Sequence, residues 1–178
     1  GHSLTVNASS TKLSDEGRES CVVYTGEGML TITDSSAEKT GKLVLDNGFS
    51  DNAQRDLGGI ASLATAAEDA SAPYGITFDG VDVEVNYTGT TSNSRLFGIW
   101  NRAVTKKVGG ENVTYGDGQI ILKNSSKLVV GQASDTAVKP MHTYGIYSAS
   151  GAVNVNSSAS IVASDSAERV HNSVSYQT

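Results

Sequence analysis

The chain has 178 residues, enough for one domain with a sizeable core; 38% of them are hydrophobic and only 18% are charged. Its formal charge of −6 disfavours nucleic acid, whose phosphates demand a basic face. A single cysteine, Cys21, excludes an internal disulfide framework and a multi-cysteine zinc site, and no apolar run approaches the ~20 residues of a membrane-spanning helix.

In chain order, Gly1-His2 reads as the remnant of a cleaved tag and is set aside. Leu4-Thr-Val-Asn-Ala-Ser-Ser alternates apolar and polar residues and closes on serines, the strand and turn of the glycine unit that begins at Gly28, without its opening glycine. Cys21-Val-Val-Tyr is the next apolar strand. Gly28-Met-Leu-Thr-Ile-Thr-Asp-Ser-Ser follows, with apolar residues two and four places after the glycine, and Lys42-Leu-Val-Leu comes third. Residues Gly59–Ala70 fit two readings, a helix with Ile60, Leu63, Ala64 and Ala67 on one face, or a third strand. Tyr74-Gly-Ile-Thr resembles the second-strand pattern, and Asp79-Gly-Val-Asp-Val-Glu-Val-Asn resembles the glycine unit.

The pattern then recurs more clearly. Phe97-Gly-Ile-Trp is an aromatic-Gly-Ile strand, followed by an insertion over Asn101–Asp117 that contains Lys106-Lys107-Val-Gly-Gly. Gly118-Gln-Ile-Ile-Leu-Lys-Asn-Ser-Ser and Lys127-Leu-Val-Val complete that triplet. Tyr144-Gly-Ile-Tyr, Gly151-Ala-Val-Asn-Val-Asn-Ser-Ser and Ser160-Ile-Val-Ala form another, and His171-Asn-Ser-Val-Ser-Tyr begins one more. The connectors repeat as well, since Ser134-Asp-Thr-Ala before His142 resembles Ser164-Asp-Ser-Ala before His171. Self-similar units of short strands predict a solenoid, in which stacked units bury a face that no unit buries alone. The expected class is all-β, a right-handed parallel β-helix with irregular corner loops. It spans 1–178 as one domain, part of a longer solenoid whose further coils it would contact. An antiparallel β-sandwich is the competing fold, but it does not require strands in triplets with matched turns.

The triplets, the aromatic-Gly-Ile strand and the Asn-Ser-Ser turns resemble the β-helix regions of bacterial surface proteins, especially autotransporter passengers and related adhesins. The resemblance covers roughly Leu4 to Tyr176. It implies an extracellular or cell-surface setting and an adhesin-like scaffold that contacts glycans or host surface proteins. No translocator barrel follows in this sequence.

The residues themselves name no reaction. There is no Gly-x-Ser-x-Gly elbow, and Cys21 in its apolar strand reads as a small buried hydrophobe. His142 and His171, at matching connectors, are expected to stack in successive coils about 4.8 Å apart as a repeated corner residue, with no third ligand for a metal. Asp79, Asp82 and Asp117 read as turn caps, and Asp135 with Asp165 as a shallow acidic row. Five Asn-x-Ser/Thr sites, at Asn7, Asn86, Asn112, Asn124 and Asn156, follow from turn composition and imply no glycosylation. No cofactor or metal is expected.

Two candidate sites emerge. The first is an aromatic ladder of Tyr24, Trp100, Tyr147 and Tyr176, interrupted by Thr77. If Ile99 and Ile146 point inward, alternation turns these rings outward as a platform for sugars; with the inverse parity they are core. The second is a loop site of Arg95, Arg102, Lys106 and Lys107, which supplies the base for the alternative function, a polysaccharide lyase or hydrolase with acidic residues around Ca²⁺, or its binding-only relative. The main expectation is non-catalytic recognition.

Overall fold

The computed structural model describes residues 2–8, 19–25, 29–49, 55–63, 75–90, 92–102, 104–115, 119–132, 138–148, 153–164 and 169–176. These residues hold the strands β1 (Ser3–Ala8), β2 (Glu19–Thr25), β3 (Met29–Thr33), β4 (Lys42–Asn47), β5 (Arg55–Leu63), β6 (Gly75–Asp79), β7 (Asp82–Tyr87) and β8 (Ser94–Arg102). They continue with β9 (Val104–Val108), β10 (Glu111–Tyr115), β11 (Gln119–Lys123), β12 (Lys127–Gln132), β13 (His142–Ser148), β14 (Val153–Val155), β15 (Ser160–Ala163) and β16 (Arg169–Tyr176). No helix occurs among the described residues.

The fold is all-β, with stacked parallel sheets. The first sheet orders β1-β4-β7-β12-β15, the second β2-β5-β8-β13-β16, and the third β3-β6-β11-β14. Pairing within all three is parallel. The chain visits the second, third and first sheets in turn, as β2-β3-β4, β5-β6-β7, β8-β11-β12 and β13-β14-β15, with β1 and β16 adding one strand at either end. The predicted triplets of strands therefore exist, and matching residues stand in register above one another.

Three assignments differ from expectation. Residues Gly59–Leu63 are neither helix nor third strand; they belong to β5 in the second sheet, where Ile60 pairs with Val23 and with Ile99. Residues 64–70 of that segment lie outside the described residues. Gly75-Ile-Thr forms the start of β6 in the third sheet, beside Met29 and Gln119, and not a copy of Phe97-Gly-Ile-Trp; Tyr74 lies outside the described residues. The Val83–Asn86 and Leu4–Ala8 segments pair with the Lys42 and Lys127 strands in the first sheet, so they are third strands and not glycine units. Period-two alternation is common to all three sheets, so it could not tell them apart.

What distinguishes the second sheet is a glycine that faces the interior. A Cβ on Gly59 would lie 2.3 Å from Val85 Cγ2, and one on Gly98 would lie 2.4 Å from Val130 Cγ2. Valines of the first sheet thus fill the space that a side chain would take. The pairing steps over this glycine, from Tyr144 to Ile146 on β13 and from Phe97 to Ile99 on β8. Such an irregularity breaks strict alternation. Leu57, Ile60, Leu96, Ile99 and Ile146 enter the main core, while Phe97, Trp100 and Tyr144 gather in a separate cluster on the other side of the sheet.

Between the sheets, like stacks on like: Leu45, Val85 and Val130 form one fully buried row, Ile76 with Ile120 another, and Phe78 with Leu122 a third. Burying each such side chain contributes roughly 1.5–3 kcal/mol. The corners are tied by polar groups. Buried Asn47 donates through Nδ2 to the carbonyls of Ser20 (3.1 Å) and Gly58 (3.0 Å), joining two successive circuits. Asn101 Nδ2 donates to Ser148 Oγ at 3.2 Å, one strand further along the stack. The turns from the third to the first sheet use left-handed backbone at Gly80 (φ 63°), Asn124 (φ 53°) and Ser125 (φ 63°).

The expected insertion after Asn101 is an antiparallel hairpin of β9 and β10, with Val108 opposite Glu111. Gly109 (φ 60°) and Gly110 (φ 93°) make its two-residue turn, a conformation open to glycine at both positions. A side chain at either glycine would meet nothing within 4 Å, so the tip stands in open space.

Candidate functional site

Register sets three rows of positions across the second sheet. The first runs Glu19, Asp56, Arg95, His142, Arg169; the second Cys21, Gly58, Phe97, Tyr144, His171; the third Tyr24, Ala61, Trp100, Tyr147, Ser175. The glycine step brings the second and third rows to the same face. Of the two parities weighed from sequence, the one with Ile99 inward and Trp100 outward is observed, and Phe97 shares that outer side.

The aromatic rings here are packed against one another. Phe97 stacks on Trp100 (centroids 5.1 Å, planes 18° apart) and on Tyr144 (4.8 Å, 15°). Tyr147 meets Phe97 edge-on at 5.4 Å and Tyr144 edge-on at 5.6 Å. Aromatic pairs in such geometries contribute about 0.5–1.5 kcal/mol beyond area burial. Trp100 is consequently only 7% exposed, which corrects the expectation of an open platform at that residue. Strand spacing of about 4.8 Å sets Phe97 against its register partner Tyr144, whereas Trp100 reaches Phe97 along β8, across the glycine step; stacked faces cannot also meet a ligand.

The ladder is also shorter than predicted. Ala61, not Thr77, separates Tyr24 from Trp100; Thr77 belongs to the third sheet. Tyr176 pairs with Ser148, one place beyond the row, and Ser175 faces Tyr147 in its stead. The side chain of Tyr176 lies outside the described residues. Tyr24 remains accessible at 48%, and its hydroxyl accepts from the Cys21 amide at 2.7 Å. Partial burial, and then the neighbouring Cys21, raise the phenol's pKa above its ordinary value. Cys21 is buried and unbridged, with its sulfur in the space left by Gly58, where a Cβ would come within 2.5 Å of it.

The predicted loop site does not assemble. Arg95 and Arg102 stand at opposite ends of β8, seven residues and so roughly 23 Å apart along the strand, while Lys106 and Lys107 belong to the hairpin. Lys107 is exposed, and the side chains of Arg102 and Lys106 lie outside the described residues. Arg95 instead makes a bidentate ion pair with Asp56, Nε to Oδ1 at 2.6 Å and Nη2 to Oδ2 at 2.7 Å. The bond to Asp56 holds the guanidinium pKa above its usual range. Its guanidinium carbon sits 5.9 Å from the centroid of Phe97. This pair links β5 to β8 within the first row, and sequence reasoning missed it because β5 was not recognised as a strand of this sheet.

The histidines do not stack either: His142 pairs with Arg169, and His171 with Tyr144. His142 Nδ1 lies 3.2 Å from the Tyr144 hydroxyl. The carboxylates elsewhere serve the turns. Asp34 accepts from the amides of Ser36 (2.8 Å) and Gly41 (2.6 Å); the Ser36 side chain first, and then these amides, lower its pKa to about 2. Asp79 accepts from Asn124 at 2.7 Å, which together with Lys123 at 3.4 Å lowers its pKa. Asp82 is exposed, and Asp117, Asp135 and Asp165 lie outside the described residues. Among the described residues no group of three His, Cys, Asp or Glu side chains is placed to hold a metal ion. Likewise, no helix there is long and apolar enough to cross a membrane.

A separate cavity of about 530 Å³ opens beside β1, with Leu4, Ile32, Leu43, Val81, Asp34 and Lys42 among its lining residues. It holds no cluster of catalytic groups. The outer face of the second sheet therefore brings together most of the distinctive chemistry: a stacked aromatic wall, accessible tyrosines and a fixed guanidinium. Comparison with known protein families, with curated proteins and with solved structures gives no match to this chain.

Proposed function

We propose that the chain is a right-handed parallel β-helix acting as a non-catalytic recognition scaffold at a cell surface or in the extracellular space, with the outer face of the second sheet as its contact surface for glycans. The right-handed winding rests on the near-universal hand of parallel strand crossovers. A cyclic order of three parallel sheets is what such a winding requires. The observation that carries the functional reading is the aromatic wall itself. Phe97, Trp100 and Tyr144 rigidify the face, while Tyr24 and Tyr147 keep ring surface in contact with solvent. Rigid aromatic surface beside polar groups suits sugar rings, which offer an apolar face and a hydroxyl rim.

A glycan array with the intact chain and with Tyr24→Ala and Tyr147→Ala tests this. Binding that weakens in either variant, at unchanged thermal stability, supports recognition. Absence of binding to every glycan sinks the glycan surface and leaves a spacer role. Turnover of a polysaccharide would favour the carbohydrate-active alternative over the non-catalytic one.

A further inference from the structure

Accepting that reading of the face, we infer that its ligand carries a carboxylate, a uronic-acid unit in a sugar chain, received by Arg95 beside Tyr147. Asp56 occupies the Nε and Nη2 side of the guanidinium with two short bonds. A guanidinium has five N–H donors, so the Nη1 side of the fork remains directed away from Asp56. The Arg95 side chain is 38% exposed despite its pairing with Asp56. Asp56 and the Phe97 ring together fix the plane of the fork before any ligand arrives. Binding then costs little side-chain entropy, the main burden on a long cation.

The neighbouring chemistry matches a carboxylate better than a dianion. The described register neighbours of Arg95 are His142 on one side and Asp56 on the other. Asp56 already offsets one positive charge, so a doubly charged phosphate would meet repulsion that a monoanion largely escapes. The planar fork also pairs naturally with a planar carboxylate. The sugar ring has its own surface: the guanidinium carbon lies 5.9 Å, and the partly exposed Tyr147 ring 5.4 Å, from the same Phe97 centroid.

The test uses an array of oligo-uronates (galacturonate, glucuronate, mannuronate and guluronate) with their methyl esters and neutral parent sugars. At least one free acid should bind about tenfold or more tightly than its ester, since a charge-assisted fork contributes on the order of 1.5–3 kcal/mol. That preference should vanish in the Asp56→Asn/Arg95→Gln double variant, which leaves no carboxylate unpaired, at a melting temperature checked against the parent. Equal binding of acid and ester overturns the carboxylate inference and leaves the sugar platform standing. Binding of neutral sugars alone does the same. Binding of nothing overturns both. An acid preference retained in the double variant places the anion elsewhere and overturns the role of Arg95.

Discussion

Gly59→Ala puts the packing of the interior to a direct test. Gly59 has no left-handed backbone, so on conformational grounds alone alanine would stabilise the fold by about 0.4–1 kcal/mol by restricting the unfolded chain. The geometry reverses that sign. The new Cβ would sit 2.3 Å from Val85 Cγ2, 2.9 Å from its Cγ1 and 3.0 Å from the Gly98 carbonyl, far inside the ~3.5–4.0 Å of ordinary carbon contacts. Overpacking of this kind costs about 1–3 kcal/mol, and the valine, fully buried, has little room to retreat. Val85→Ala by itself removes two buried methyl groups and costs about 2–3 kcal/mol. In the double variant the alanine methyl enters the space vacated by the valine. Its loss should therefore fall short of the sum of the single losses by about 1 kcal/mol or more. Urea unfolding followed by the fluorescence of Trp100, the sole tryptophan, reads all four species. Gly59→Ala at or above parental stability, or losses that simply add, would refute the inward glycine as the organiser of this sheet.

Three further outcomes follow from neighbouring features. Thr143 is fully buried with no partner for Oγ1 among the described residues, so Thr143→Val should raise stability by about 1 kcal/mol, or roughly 2–4 °C in melting temperature; a lower melting temperature counts against an unpaired hydroxyl. Trp100→Ala should cost about 3–5 kcal/mol and Tyr24→Ala under about 1 kcal/mol, because the first ring is 7% and the second 48% exposed; comparable losses in urea titrations followed by circular dichroism would contradict the ring stack. Asp34 should titrate near pH 2 by carboxyl NMR, below its ordinary 3.8. A lowered folded-state pKa means that its contribution is present above about pH 4 and is lost as the pH falls through about 2, so Asp34→Asn should flatten stability over that acid interval; a carboxyl midpoint at its ordinary value would dismiss the turn cap.

Much of the architecture was legible because stacking requires like residues at like positions. The Lys42, Lys127 and Ser160 strands could be aligned by eye, and they stand in one sheet. The second sheet was harder to read. Leu57-Gly-Gly-Ile-Ala is a copy of Leu96-Phe-Gly-Ile-Trp with the outward aromatics reduced to glycine and alanine. Aromatic-Gly-Ile was therefore the wrong signature, and the inward glycine followed by isoleucine was the right one. The Arg95–Asp56 pair depends on a separation of 39 residues, which no local pattern announces. The burial of Trp100 escaped prediction for a different reason: alternation gives the side of a sheet to which a residue points and says nothing of what lies against it there.

The hairpin between β8 and β11 has a consequence for how such a chain changes over time. β8 keeps its full register with β5 and β13, and β11 keeps its register with β6 and β14, although twelve described residues of hairpin and flank intervene. Chain length at that corner is thus uncoupled from packing in the stack. Loop closure adds only about 0.6 kcal/mol for each doubling of length, so new segments can be accepted there at small energetic cost. The corner is a port for variation: sequence can be gained, lost or exchanged beyond Arg102 while the buried rows beneath it keep the same neighbours.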